Sequence, residues 1–381
     1  ANVWATMSAD PESGLIYLPV AAVSHDRYGG ERPGSNLFSD CIVALDARTG
    51  ERIWHYQLVH HTLWNYDPPA PPMLLDVMID GRPRKILVQI TKQAMAFVFD
   101  RITGEPIWPI EEQQAPASKV PGEQAWPTQP FPTRPEAFDR QGFTEEDLID
   151  FTPEVRALAL EAIQDFRLSP SIYTPPSLQD HPDGTRGLLS LPSSTGGANW
   201  EHSAFDPDTG IIYVPSRTQL QVLALAKNPE SDLDLSQGFG VRAPRVQGLE
   251  VVKPPYGRIT AIDMNTGDHL WMIANADTPE RIANHPLLEG VDLPRTGIPT
   301  RSSVLATKTL LFIGEGTGGA GASPIYRAVD KATGEILHEM ELPDNQTGLP
   351  MTYEHDGKQY IAMWIGGSGQ PTELIAYALP D

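Results

Sequence analysis

The sequence predicts an all-β fold built from repeated four-stranded units, and three observations carry the prediction. One hairpin pattern recurs four times along the chain, and a second pattern recurs twice ahead of it. Glycine (32 residues) and proline (37) are abundant enough to favour short strands and turns over long helices. A tryptophan returns at a fixed place in the hairpins, as in the blades of a β-propeller.

The first pattern is IVALDARTGERIWHY from Ile42, AFVFDRITGEPIWPI from Ala96, ITAIDMNTGDHLWMI from Ile259 and YRAVDKATGEILHEM from Tyr326. Each is an alternating apolar strand, an Asp, two variable residues, Thr-Gly, a short polar step and a second strand opening on Trp or Leu. The Asp carboxylate is placed to accept backbone N–H groups inside the turn, and the Gly to take the left-handed conformation that other residues resist. The aromatic that follows packs onto a neighbouring unit. The second pattern, SADPESGLIYLP from Ser8 and AFDPDTGIIYVP from Ala204, marks a hairpin earlier in its unit. Together they predict blades near 5–58, 72–110, 200–274 and 301–342, with a half blade over 351–379. About four and a half blades do not close a ring, and an open arc leaves strand edges unpaired. The expectation is therefore the C-terminal part of a larger propeller, or one closed by a partner.

Between blades lies an insertion, 111–198, rich in Pro, Gln and Ser. Within it FTPEVRALALEAIQDF predicts a helix, with Thr152 as N-cap, Pro153 in the first turn and apolar residues at helical spacing. An insertion of this length is expected to cover a site.

Composition narrows the function. A net charge of -21 and a pI near 4.8 argue against nucleic acid as a partner, since phosphate binding relies on clustered Lys and Arg; the acidity reads as a solvated surface. Cys41 is the only cysteine, so no disulfide closes within the chain, and it reads as a small buried apolar residue. No window approaches the ~20 apolar residues of a membrane span, and no signal peptide is visible at Ala1.

The richest stretch runs from Trp54 to Gly104: WHYQLVHHTLWNYDPPAPPMLL, a charged hairpin tip, then KILVQITKQAMAFVFDRITG. It gathers two histidines, two tryptophans, Asn-Tyr-Asp and a lysine beside Thr91. Core strands rarely hold so many groups able to carry a proton or bind an anion, and the stretch is expected to form one wall of a cofactor site. A lysine inside an apolar strand is costly unless an anion meets it.

These residues carry a resemblance. WHYQLVHHTLWNYDPPAPPMLL, TKQAMAFVFDRITGEPI, NVWATMSADPESGLIYLP, YTPPS, GGANW and the final MTYEHDGKQYIAMWIGGSG with AYALPD resemble the bacterial quinoprotein dehydrogenases that depend on pyrroloquinoline quinone (PQQ), in particular the membrane-bound glucose and quinate type. The resemblance covers essentially the whole chain. It implies an eight-bladed quinoprotein β-propeller with PQQ and a divalent cation, Ca or Mg, on its axis. The implied activity is oxidation of a sugar or cyclic polyol by hydride transfer to the quinone, with electrons passed to a membrane quinone. It implies the periplasm, with contact to the inner membrane only through a part preceding Ala1.

By the same resemblance Trp4 is the indole lying against the quinone, a ring-stacking platform, or else a blade-packing residue. Lys92 points its ammonium at the quinone oxygens, where fixed charge stabilises a developing oxyanion. Asn199 and Trp200 approach the cofactor from the facing blade, and the glycines of GGANW permit close backbone contact. Ser24 falls where the subgroup places an oxygen near the metal, with Asp26 two residues on. The other metal ligands would precede Ala1.

One departure matters. The family writes the central motif His-His-Asp-x-Trp-Asp, its last Asp being the base that takes the substrate hydroxyl proton; this chain reads His60-His61-Thr62-Leu63-Trp64-Asn65. Asn65 stands at the base position, since its spacing to Lys92 fits the family without a gap, and an amide does not accept that proton. Three readings stay open: Asp67 takes over, because alternate residues of an extended segment point the same way; the chain binds PQQ without efficient turnover; or slow turnover persists with His61 or water as proton acceptor. The two histidines also read as a structural pair bonded to backbone carbonyls. The alternative function is a non-catalytic quinoprotein-like propeller acting as a binding or scaffold module.

Overall fold

The computed structural model describes residues 1–200, 203–367, 369 and 371–379. The four-residue stretch 367–370 of the C-terminal GGSGQ segment and the start of the 200–274 region thus lie partly outside the described residues. The chain forms two compact units, one made of 1–200 with 218–253, the other of 201–217 with 254–381.

The first unit opens with an antiparallel meander of four strands, β1 (Ser8–Asp10), β2 (Leu15–Val20), β3 (Cys41–Asp46) and β4 (Arg52–Gln57). A three-stranded sheet follows: β5 (Met73–Ile79), β6 (Arg82–Ile90) and β7 (Ala96–Asp100). β6 is wholly buried over its last five residues, and the chain turns at Thr91 straight into Lys92. In the second unit, Ala204–Asp206, Ile211–Arg217, Gly257–Asp263 and Asp268–Ala274 make one antiparallel sheet. Val304–Ala306, Leu310–Gly314, Ile325–Asp330 and Ile336–Glu341 make the next, and Met351–His355, Lys358–Ile365 and Glu373–Ala378 a last one of three strands.

The hairpin chemistry is as the sequence predicts. Asp46 Oδ1 accepts from the N–H groups of Arg48 (2.8 Å) and Thr49 (2.9 Å), and Gly50 closes the turn at φ 74°. Those backbone bonds hold the Asp46 carboxyl below its ordinary value. Asp100 and Asp330 repeat the arrangement.

The recurring tryptophan docks one sheet on the next. Trp54 Nε1 donates to the Arg101 carbonyl (3.1 Å) and its ring lies where a Cβ on Gly104 would come within 2.5 Å. Tyr17 donates to the same carbonyl (2.9 Å), and Asp10 pairs with Arg101 at 3.0 Å. The second unit repeats this with different residues: Trp271 and Tyr213 both donate to the Lys331 carbonyl (3.2 Å each), Trp271 covers Gly334, and Asp206 pairs with Lys331 at 2.5 Å. Each of these two sheets thus grips an Asp-x-x-Thr-Gly turn further along the chain by an aromatic pair and an ion pair.

The insertion holds helix α1 (Pro153–Ala162), with Thr152 Oγ1 accepting from the Val155 N–H at 3.1 Å as an N-cap and Pro at the first turn. It also contains a two-stranded sheet, Ile110–Gln114 with Thr128–Pro132. The sheet within 200–274 is drawn from two separate runs of chain. After Arg217 the chain leaves the second unit, and Gln221–Ala226 pairs with Ser177–Leu178 and Leu188–Ser190 in the first before returning at Pro254. Strand pairing is a non-local choice, and the Gln221–Ala226 run carries no local mark of its partner.

Candidate functional site

The site grows from the turn after β6. Lys92 is 4% exposed, so its ammonium must be met by acceptors. Nζ donates to the Asn65 carbonyl (3.0 Å), to Asn65 Oδ1 (2.9 Å) and to Asp67 Oδ1 (2.5 Å). Asn65 and Asp67, two positions apart, thus reach one ammonium. Asn65 sits at φ 59°, a left-handed conformation that Asn tolerates better than most residues. The other oxygen of Asp67 accepts from Trp4 Nε1 at 2.7 Å. One buried carboxylate therefore joins the lysine to the indole.

Trp4 has 47% of its surface exposed. It meets Trp200, itself 53% exposed, edge-on with ring centroids 6.4 Å apart. The segment before Trp200 explains its glycines. Gly197 N–H donates to the Lys92 carbonyl (2.9 Å), and a Cβ on Gly196, at φ 85°, would fall 2.7 Å from Lys92 Cβ. A side chain at Gly196 would push the segment off the lysine, and one at Gly197 would meet Ala94 Cβ at 2.9 Å. Asn199 is buried and serves the loop: Nδ2 donates to the Thr195 carbonyl (2.6 Å) and Oδ1 accepts from the Trp200 N–H (2.8 Å).

The histidines divide. His60 is held by side chains, Nδ1 by Gln57 Oε1 and Nε2 by Glu112 Oε1, both at 2.9 Å. His61, at φ 46° and buried, sets Nδ1 against the Gly34 carbonyl (2.7 Å) and Nε2 against Glu123 Oε1 (2.8 Å). Burial works against charge on Glu123, but the His61 hydrogen bond and the Gly29 N–H outweigh it and hold the carboxyl below its ordinary range. Both His61 nitrogens are thus engaged by neighbouring oxygens. Glu123, Arg32 and Asp40 were not singled out from the sequence. Glu123 lies in a Pro-rich run with no motif, and Asp40 stands at the mouth of an ordinary apolar strand.

Ser24 is exposed in a bend, and Asp26 lies 3.8 Å from Arg27. Among the described residues no group of three or more His, Cys, Asp or Glu is arranged to hold a metal. One hydroxyl falls short of the several oxygens a hard cation takes, so the described residues do not by themselves fit a divalent cation. They do fit a flat anion: two half-exposed indoles stand beside a buried ammonium whose strand is approached closely by a glycine loop.

The chain can now be placed in a class. Residues 1–361 match the PQQ glucose/ethanol/alcohol dehydrogenase β-propeller domain, and the chain belongs to that family. It is 32% identical to the quinate/shikimate dehydrogenase (quinone) of Acinetobacter baylyi over 99% of its own length and 49% of the relative's. It is also 32% identical to the glycerol dehydrogenase large subunit of Gluconobacter thailandicus, over 100% of its length and 54% of the relative's. A solved europium-containing methanol dehydrogenase shares the fold, with TM-score 0.61 at 21% identity over 96% of this chain and 51% of that one. The chain thus spans about half the length of the curated relatives it matches, and it aligns with the C-terminal half of the quinate and glucose enzymes. No helix among the described residues is long and apolar enough to cross a membrane.

Proposed function

We propose that this chain forms the PQQ-binding wall of a quinoprotein dehydrogenase that oxidises a CH–OH group of a sugar or cyclic polyol, in the periplasm, with a membrane quinone as electron acceptor. The observation that carries the reading is the single carboxylate of Asp67 bonded both to the buried Lys92 ammonium and to the Trp4 indole. A scaffold has no use for an internal cation set beside half-exposed aromatic faces.

PQQ, when bound, supplies a two-electron acceptor. Lys92 supplies positive charge at the position where negative charge develops. Trp4 offers its face to a planar ring system, Trp200 stands edge-on beside it, and Gly196 and Gly197 let the loop backbone lie close to Lys92. Asp67 is the one carboxylate touching this group, and it takes the substrate hydroxyl proton that Asn65 does not accept. Both ring nitrogens of His61 are engaged, so His61 positions Glu123 and the Gly34 carbonyl rather than receiving that proton. The divalent cation expected beside PQQ draws at most Ser24 from the described residues, and no proton step here relies on it.

The substitution at Asn65 favours a second reading, in which PQQ binds and turnover is weak. The absorption spectrum after adding PQQ and calcium decides between binding and a mere scaffold. A red-shifted protein-bound quinone band, lost in Lys92→Ala, supports the proposal; an unchanged free-cofactor spectrum overturns it. Dye reduction with a panel of sugars and polyols then separates turnover from binding alone.

A further inference from the structure

Asp40 is a second buried carboxyl beside this site that neither the fold nor the proposed chemistry uses. It precedes β3 in a left-handed conformation, φ 51°, and is wholly buried. Its backbone is fixed on both sides: the N–H donates to the Ala21 carbonyl (3.3 Å) and the carbonyl accepts from the Leu58 N–H (2.7 Å). The side chain therefore does not swing out to water. Among the described residues neither of its carboxyl oxygens has a hydrogen-bond partner. An ionised carboxylate left without donors in such a place is costly.

The ionisable groups that face it are Asp67, Lys92, Arg32, Cys41 and Tyr173, with Ser39 the neighbouring hydroxyl. Burial, then the charge of Asp67, work against ionisation; Ser39, Arg32 and Lys92 favour it but do not prevail, and the carboxyl is pushed up to about 8. Other charges stand around it. Glu123 faces both His61 and Arg32, and Arg27, whose charge also reaches Asp67, lies beside Asp26. Arg32, which donates to Asn36 Oδ1 and the Thr62 carbonyl, and Lys92, which is paired with Asp67, are the cations whose charge reaches Asp40. An ionised Asp40 would add a further negative charge beside Lys92.

We propose that Asp40 sets the charge of the Lys92 site and hence its selectivity for a polyanionic planar ligand. Held neutral, it adds no negative charge beside Lys92; ionised, it adds one, which opposes the carboxylates of the ligand and weakens their binding. The inference rests on the reading of this site as a PQQ site, and it makes Asp40 a positioning residue that acts through charge and touches neither substrate nor cofactor.

The test is PQQ binding followed by quenching of tryptophan fluorescence, from about pH 6 to about pH 9.5, in the wild type and in Asp40→Asn. The wild type should bind at least about tenfold more weakly at the alkaline end than near pH 7, and Asp40→Asn should keep its neutral-pH affinity throughout. In parallel, infrared titration of the unliganded protein should show a protonated carboxyl band that disappears over the same alkaline range and is missing from Asp40→Asn. An equal pH dependence in both proteins, or none in the wild type, overturns the role of Asp40 while leaving the cofactor reading intact. No binding at any pH sinks the cofactor reading and the inference with it. Should Asp40→Asn fail to fold, the wild type decides alone: affinity and band lost together support the inference, and affinity lost with an unchanged band overturns it.

Discussion

At the scale of single residues, the site turns on two neighbours of one ammonium. Asn65 donates nothing to Lys92 and gives it two oxygens, a carbonyl and an amide, whereas Asp67 gives it charge. An Asp at position 65 would bring a second carboxylate to a cation already paired, which explains why an amide is comfortable there. If Asp67 carries the proton, Asp67→Asn lowers kcat/KM for the oxidised polyol by about 10²–10⁴-fold, while the PQQ spectrum is retained. Asn65→Asp places there the carboxylate that the family resemblance implies. It is expected to raise dye reduction by at least about tenfold in the PQQ-loaded protein, and the double variant should keep more activity than Asp67→Asn alone. Steady-state dye assays on the three variants check all of this, and a double variant no better than Asp67→Asn would show that position 65 no longer faces the substrate.

At the scale of elements, the glycine loop and the strand after β6 behave as one piece. Gly196 combines a left-handed φ with contacts to Lys92 Cβ and Cγ that a methyl would bring to 2.7 and 2.6 Å. Both obstacles act in the folded state, because the contact is to the stem of a residue whose ammonium is fixed by three acceptors. Gly196→Ala is expected to lower stability by about 1–3 kcal/mol and to weaken PQQ binding, read respectively by urea denaturation and fluorescence quenching. The turns show how much of such packing is legible beforehand. Asp46, Thr49 and Gly50 announce their hairpin because the bonds that close it lie within five residues. Thr152 and Pro153 announce α1 for the same reason. The grip of Trp54 on Gly104 was legible only as an aromatic seeking a neighbour, since the ring and its seat are far apart in the chain. Lys92 and Trp4 stand out through family resemblance, and the bond of both to Asp67 joins them in space. Asp40 and Glu123 do not stand out, because what distinguishes them is burial and company, properties that long-range packing creates.

At the scale of the molecule, an acidic chain of net charge -21 carries carboxyls perturbed in opposite directions, and the two groups act in different pH windows. Asp46, Asp206, Asp330 and Glu123 are held below their ordinary values in the fold. The unfolded chain therefore binds their protons first, and the stability they lend is complete above the ordinary carboxylate range and lost as pH falls beneath it. Asp40 runs the other way. With a folded value of about 8 against an ordinary 3.8, the native state holds a proton that the unfolded chain has released, so stability falls as pH rises between those values. The wild type should unfold at lower urea at about pH 8 than at about pH 5, and Asp40→Asn should flatten that slope. A slope unchanged by the substitution would place the perturbed group elsewhere.

The excursion of residues 218–253 bears on how such a molecule comes into being. Because the first unit borrows Gln221–Ala226 to complete its sheet around Leu188–Ser190, it stays unfinished until residues well beyond Trp200 have left the ribosome. By then the opening strands of the second unit, Ala204–Asp206 and Ile211–Arg217, have already emerged. At about 5–20 residues per second, that interval lasts seconds, far longer than a hairpin needs to form. The two halves of the nascent protein must therefore mature in overlapping time, and no single cut in the polypeptide yields either of them whole.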